Sequence, residues 1–137
     1  MEKKYNILIV DDEQDVHTVL GKMLEKEGYL VQSAFSAAQA LEKIKQAKPD
    51  LMLLDIMMPK TSGIELLNTL RNQPETKDLL IIIISAKDEQ SDRIEGLSHG
   101  ADDYISKPFH LRSLVRKIEH VLQKKKEENF QDSILSQ

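Results

Sequence analysis

Leu51-Met52-Leu53-Leu54-Asp55, closed off by Met58-Pro59, is four consecutive apolar residues ending in a single carboxylate. A strand wetted on one side alternates apolar with polar residues. An unbroken apolar run of this length reads instead as a strand buried on both faces, the condition of a parallel sheet covered by helices. Proline has no amide hydrogen to give a ladder, so Pro59 forbids extension. The same pattern recurs on either side. Ile7-Leu8-Ile9-Val10 is another continuous apolar run, and residues 79–84 form the most apolar and β-branched one. Weaker strands are predicted over 30–34 and 103–106.

Between these runs the apolar spacing changes to that of a helix. Val16, Val19, Leu20, Met23 and Leu24 follow the first strand at i, i+3, i+4, i+7 and i+8, and Gly28 supplies a left-handed stop. Ala37, Ala40, Leu41 and Ile44 mark a second helix, ended by Pro49. A third runs over about 64–71. The fourth, over 89–98, is the poorest, with Ile94 and Leu97 as anchors and Gly96 costing roughly 1 kcal/mol relative to Ala. Gly100 terminates it. The fifth carries Leu111, Leu114, Val115, Ile118, Val121 and Leu122 on one stripe. Strict alternation of buried strands and helices predicts one α/β domain: a doubly wound, five-stranded parallel sheet with helices on both faces.

The bulk numbers agree with a single soluble domain. The chain has 137 residues, 40% apolar and 31% charged, and no cysteine, so disulfides and thiolate metal sites drop out. Residues 7–10 are too short for a signal peptide, and no run is long enough to cross a bilayer. A soluble, cytoplasmic protein that does not engage membranes is expected. The net charge of −4 argues against direct contact with nucleic acid.

In open α/β sheets, ligands bind beyond the carboxyl ends of the strands, where the strand order reverses. Those ends carry Asp11-Asp12, Asp55, Ser85 and Lys107-Pro108, while strand two ends in the uncharged Ser33-Ala34. The order 2-1-3-4-5 makes strands 1, 3, 4 and 5 consecutive neighbours and converges these groups on one crevice. The order 3-2-1-4-5 would leave Asp55 on the far side of strand two. Taken singly, each residue has an ordinary explanation. Asp11 or Asp12 could cap a helix, Asp55 could form a turn, Ser85 could be a cap, and Lys107 a surface cation. Together they suit one site. His17, His99, His110 and His120 show no ligand spacing, and Asp102-Asp103 read as turn residues.

Three carboxylates in one crevice need a compensating charge, and a hard divalent cation with oxygen ligands supplies it. A carboxylate can also attack phosphorus to give an aspartyl phosphate, a transfer that depends on positioning and charge neutralisation. Lys107 would then pair with one phosphoryl oxygen and Ser85 would donate to another.

With Asp11-Asp12, Asp55, Met58-Pro59, Gly63, Ser85-Ala86 and the stretch from Gly100-Ala101-Asp102-Asp103-Tyr104 to Lys107-Pro108-Phe109, the chain resembles the receiver domain of two-component response regulators over residues 4–124. The resemblance implies a flavodoxin-like fold and a set of roles. Asp55 would be the phosphoacceptor. Asp12 would bind Mg²⁺ (or Mn²⁺) directly and Asp11 mainly through water, with Asp55 and the Met57 backbone carbonyl as further ligands. Lys107, Ser85 and the Ala86 backbone would hold the phosphate, Ser85 and Tyr104 would be the switch pair, and the bond before Pro108 would be cis. It implies a phosphorylation-dependent signalling switch, not a turnover enzyme, whose only catalysis is its own phosphoryl transfer and dephosphorylation. Its partners would be a histidine kinase or phosphotransfer protein and a downstream protein or output domain, with a phosphorylation-linked homodimer as a further expectation. Phosphorylation would change the surface of the fourth helix, fifth strand and fifth helix.

Residues 1–124 are expected to form this domain and 125–137 a tail or the start of a linker, where Phe130 and Ile134 lie one helical turn apart. Ser62 stands where an acidic residue is common in the family, and Met57 and Lys87 occupy variable positions. Other readings fit less well. A haloacid-dehalogenase-like phosphatase would need an Asp at the position of Met57. A flavin or nucleotide binder would need a phosphate loop where Asp11-Asp12-Glu13 stand. A receiver-like interaction module that is never phosphorylated is the remaining alternative.

Overall fold

The computed structural model describes residues 4–58, 63–86 and 96–135. Its order is β1 (Asn6–Val10), α1 (Gln14–Lys26), β2 (Leu30–Ala34), α2 (Ala37–Gln46), β3 (Leu51–Asp55), α3 (Gly63–Arg71), β4 (Leu80–Ala86), β5 (Asp103–Lys107) and a C-terminal helix, Leu111–Leu135. The strands form one sheet in the order β2-β1-β3-β4-β5, every pairing parallel. The expected doubly wound topology is therefore the observed one. Pro59, Ser62, Lys87 and most of the predicted fourth helix (89–95) lie outside the described residues.

Side chains alternate across each strand, so one apolar run feeds two cores. Leu8, Val10, Met52, Leu54, Ile81 and Ile83 face α2 and α3, meeting Ala40, Ile44, Leu66, Leu67 and Leu70. Ile7, Ile9, Leu51, Leu53, Ile82 and Ile84 face α1 and the C-terminal helix, meeting Leu20, Leu24, Leu114, Ile118 and Val121. β3 is fully buried along its length, which is why its sequence shows no polar alternation.

Glycine is required at two approaches. A Cβ on Gly63 would lie 2.5 Å from the Ile56 Cα, so only glycine lets α3 start against the end of β3. Gly100, at φ +103, terminates the segment before β5 in the left-handed region. Gly96, which the sequence marks as a weak point of its helix, would drive a Cβ into the Ile83 Cδ1. Its helix-propensity cost is offset by the close packing it allows.

One expectation is corrected, one ordinary explanation is ruled out and one element is longer than its apolar stripe. The buried face of α1 comprises His17, Leu20, Gly21 and Leu24, whereas Val19 and Met23 are exposed. The apolar stripe read from sequence is thus rotated by part of a turn. Neither Asp11 nor Asp12 is the N-cap of α1. Glu13 holds that position without a side-chain bond. The C-terminal helix runs 25 residues to Leu135, well beyond its apolar stripe and through most of the expected tail 125–137, and past Lys125 all its described residues are exposed.

Candidate functional site

The carboxyl ends of β1, β3 and β5 bring three charged residues into contact. Lys107 Nζ lies 3.3 Å from Asp55 Oδ2 and 3.4 Å from Asp11 Oδ2. Asp11 and Asp55 are almost wholly buried, at 1% and 5% exposure, and Asp12 is exposed at the rim. One carboxylate oxygen from each of Asp11, Asp12 and Asp55 falls within 4.8 Å of the others, a spacing that a single metal ion could bridge. The donors are all hard oxygens, the set that suits Mg²⁺ and Mn²⁺ over softer metals.

Local backbone bonds aim these groups. Asp55 Oδ1 accepts the Met57 N–H at 2.9 Å and Asp11 Oδ1 accepts the Glu13 N–H at 2.8 Å. Each carboxylate thereby closes a turn two residues on, so it serves its strand end and the site together. The ladder continues past the strands through Asp11 N–H to Ala34 O and Ile56 N–H to Ile84 O.

Burial pushes the Asp11 carboxyl above its ordinary value, outweighing the Glu13 N–H and Lys107 that favour its charge; the neighbouring Asp55 pushes it further up. Burial alone would lower Lys107, but Asp55 and Asp11 together raise it above the usual lysine value. Two buried carboxylates around one ammonium leave a residual negative charge, the electrostatic counterpart of the oxygen cluster.

The end of β4 adds a buried hydroxyl. Ser85 is 1% exposed, in register with Ser106, and its Oγ has no hydrogen-bond partner among the described residues. An unpaired buried hydroxyl costs free energy, on the order of 1–3 kcal/mol, unless a ligand completes it. Ala86 is in register with Lys107, so its backbone shares the sheet end. The Lys107–Pro108 peptide is cis. Tyr104 lies further back on β5, opposite Ile83, packed against the core that β3 and β4 share with α3. It is not part of the ionic cluster.

Sequence reasoning missed two groups. His17, set aside for lack of ligand spacing, is buried behind Asp11, with Nε2 2.7 Å from the Asp11 carbonyl oxygen and Nδ1 2.8 Å from Ser33 Oγ. The available signal was its position three residues before Leu20 and seven before Leu24, on the face that is in fact buried. Asp102 is not a mere turn former. Its Oδ2 accepts from the Ile81 N–H (2.8 Å) and from Arg71 Nη2 (3.1 Å), and Arg71 also donates to the carbonyls of Gly100 and Lys77. This clamp fastens the end of α3 to the segment entering β5.

Comparison with known proteins agrees with this geometry. A model of the response regulator receiver domain matches residues 7–119. The phosphate regulon transcriptional regulatory protein PhoB of Pseudomonas aeruginosa is 47% identical over 118 residues, 86% of this chain and 52% of that protein. The alkaline phosphatase synthesis transcriptional regulatory protein PhoP of Bacillus subtilis is 43% identical over 124 residues, 90% of this chain and 50% of that protein. The chain thus spans about half the length of these curated relatives. A crystal structure of a CheY-like response regulator receiver domain protein from Methanospirillum hungatei matches with a TM-score of 0.84 at 32% identity, covering 92% of this chain and 99% of that one. Sheet order, acidic crevice and sequence similarity over most of the chain agree, and the chain belongs to the response regulator receiver domain family.

Proposed function

We propose that the chain is a phosphorylation-dependent signalling switch whose input is Asp55, phosphorylated by a histidine kinase or histidine phosphotransfer protein. The observation that carries this reading is the environment of Asp55: a buried strand-end carboxylate 3.3 Å from Lys107, in a cation-spaced cluster with Asp11 and Asp12. In the transfer, an Asp55 carboxylate oxygen bonds to phosphorus as the P–N bond to the donor imidazole breaks. The imidazole leaves with that electron pair and takes a proton from water. In the later discharge, water attacks phosphorus and gives up a proton to solvent as the bond to the Asp55 carboxylate breaks, releasing inorganic phosphate. These are the only reactions assigned to the chain.

Lys107 neutralises one phosphoryl oxygen, while the Ser85 hydroxyl and the Ala86 N–H donate to others. Asp11, Asp12, Asp55 and the Met57 carbonyl are the proposed holders of Mg²⁺ (Mn²⁺ in its place), which supplies charge neutralisation at the transferring group. The unpaired Ser85 hydroxyl supports the switch: it gains a partner only when phosphate is present, and its movement makes room for Tyr104 to turn inward. The output surface is then the segment before β5, β5 itself and the C-terminal helix, read by a downstream protein, an output domain or a second copy. Residues 1–124 form the receiver unit in this reading and 125–137 a tail or linker.

A docking face for the donor protein adjoins the site. A groove of about 700 Å³ runs between α1 and the loop after β5, lined by Val16, Val19, Leu20, Met23 and Phe109 and bordered by Lys107. The groove shares Lys107 with the Asp55 site, which suits an apolar helix of the partner that presents its phosphohistidine beside Lys107.

Incubation with a small phosphodonor and Mg²⁺, read by intact mass, tests the assignment. Wild type should gain one phosphoryl group, and neither Asp55→Asn nor metal-stripped wild type should. Equal labelling of Asp55→Asn would remove the assignment.

A further inference from the structure

Among the described residues His17 belongs to no cluster that could hold a metal ion, yet both its ring nitrogens are committed. Nε2 lies 2.7 Å from the Asp11 carbonyl oxygen and Nδ1 2.8 Å from Ser33 Oγ, and the ring packs on Phe35 with centroids 4.2 Å apart at 38°. A carbonyl can only accept, so the hydrogen sits on Nε2. In the neutral ring Nδ1 is then an acceptor, and Ser33 donates to it. The Asp11 carbonyl at the end of β1 thereby sets the tautomer, and the Ser33 hydroxyl at the end of β2, able to donate or accept, braces the ring from its other side.

The grip falls where the site needs rigidity. Asp11 is 1% exposed. Its N–H donates to Ala34 O, its C=O accepts from His17, and its Oδ1 accepts from the Glu13 N–H. Both peptide groups flanking its Cα are thus fixed, and the direction of its carboxylate follows. Asp12 begins at the peptide whose carbonyl His17 holds, so the same bond orients the rim carboxylate. A side chain that only filled space could be apolar, whereas this one spans two elements and satisfies a buried carbonyl.

We propose that His17, braced by Ser33 and Phe35, is a positioning residue that presents Asp11 and Asp12 to a divalent cation beside Asp55. The proposal rests on the cation site of the preceding reading. Loss of the bond leaves the Asp11 carbonyl buried without its donor, and the loop must turn toward water, carrying both carboxylates with it.

The test is Mn²⁺ affinity of the whole chain, measured by electron paramagnetic resonance, for wild type, His17→Gln and His17→Asn. The glutamine amide reaches as far as Nε2 and can donate to the Asp11 carbonyl; the asparagine amide reaches only as far as Nδ1. His17→Asn should bind at least about tenfold more weakly and His17→Gln should stay within about threefold of wild type, as expected for a group that orients metal ligands from behind. Thermal unfolding without metal, run alongside, reads any general loss of stability that the two variants share. Equal affinities across the three proteins, or equal losses in the two variants, would overturn the proposal while leaving the cation site intact. No Mn²⁺ binding by wild type would overturn both. A second measurement needs no variant: ¹⁵N-resolved NMR of metal-free wild type should show His17 as the Nε2–H tautomer. The Nδ1–H form would contradict the assignment.

Discussion

Asp11 and Asp55 compete for one cation, Lys107, at 3.4 and 3.3 Å. Because burial raises the Asp11 carboxyl above its ordinary value of 3.8, the folded chain holds that proton more tightly than the unfolded chain does. The resulting contribution to stability is complete below the ordinary value and is lost as pH rises through the raised one. Without metal, a charged Asp11 carboxylate therefore costs stability once pH has risen through that raised value, and Asp11→Asn should there melt at a higher temperature than wild type. The difference should shrink as pH falls toward 4, and Mg²⁺ should stabilise only wild type. Calorimetry with and without chelator reads all three, and a less stable Asp11→Asn in metal-free buffer above the raised value would count against this account. Charged residues at strand ends made this cluster legible in the sequence, since an apolar run that stops at a carboxylate marks its own end. His17 and Ser33 were not legible. A pair that satisfies its own hydrogen bonds has no spacing signature in the sequence, and its meaning depends on which face of α1 is buried.

That face is a question at the scale of the element. Val16, Val19 and Met23 share helical spacing with Leu20 and Leu24, so the sequence alone cannot divide five apolar residues between a core stripe and a groove. Packing against β1, β2 and the C-terminal helix decides it, burying Leu20 and Leu24 and leaving Val19 55% exposed. An apolar residue that the core does not use is available to a partner. Val19→Lys should change stability by less than about 0.5 kcal/mol, as surface substitutions do. It should slow transfer from a phosphohistidine protein by about tenfold, the loss of a well-placed interface contact. Labelling by a small phosphodonor should be unchanged. Stopped-flow comparison of the two donors separates these outcomes, and parallel slowing with both would place Val19 in the chemistry instead of the docking. The central strands β1, β3 and β4 needed no such arbitration, because period two admits only two faces and both are buried there.

At the scale of the whole molecule, two cores on either side of one sheet account for the domain, and the C-terminal helix leaves it. Val121 is its last buried residue, whereas Phe130, Ile134 and Leu135 are 66%, 57% and 82% exposed. Its final turns have no apolar packing, and a helical segment so short is marginal without it. Removal of residues 127–137 should leave unfolding free energy within about 0.5 kcal/mol of the full chain, and amides beyond Lys126 should exchange far faster than those around Ile118. A large loss of stability on truncation would mean that the tail is part of the receiver unit. The length of this helix was not legible, since the charged run at 124–128 reads as a solvated helix end and the apolar stripe stops before it, whereas the helix continues to Leu135.

Borohydride trapping reads out which residue carries the phosphoryl group, here proposed as Asp55. An acyl phosphate is reduced to an alcohol, so the phosphorylated carboxylate is marked at its own position and can be found by peptide mass mapping. After treatment with a small phosphodonor and Mg²⁺, reduction should convert Asp55 alone to homoserine, and omission of the phosphodonor should abolish the mark. Homoserine at Asp11 or Asp12, or a phosphoryl group that resists borohydride on a hydroxyl or imidazole, would contradict the assignment to Asp55.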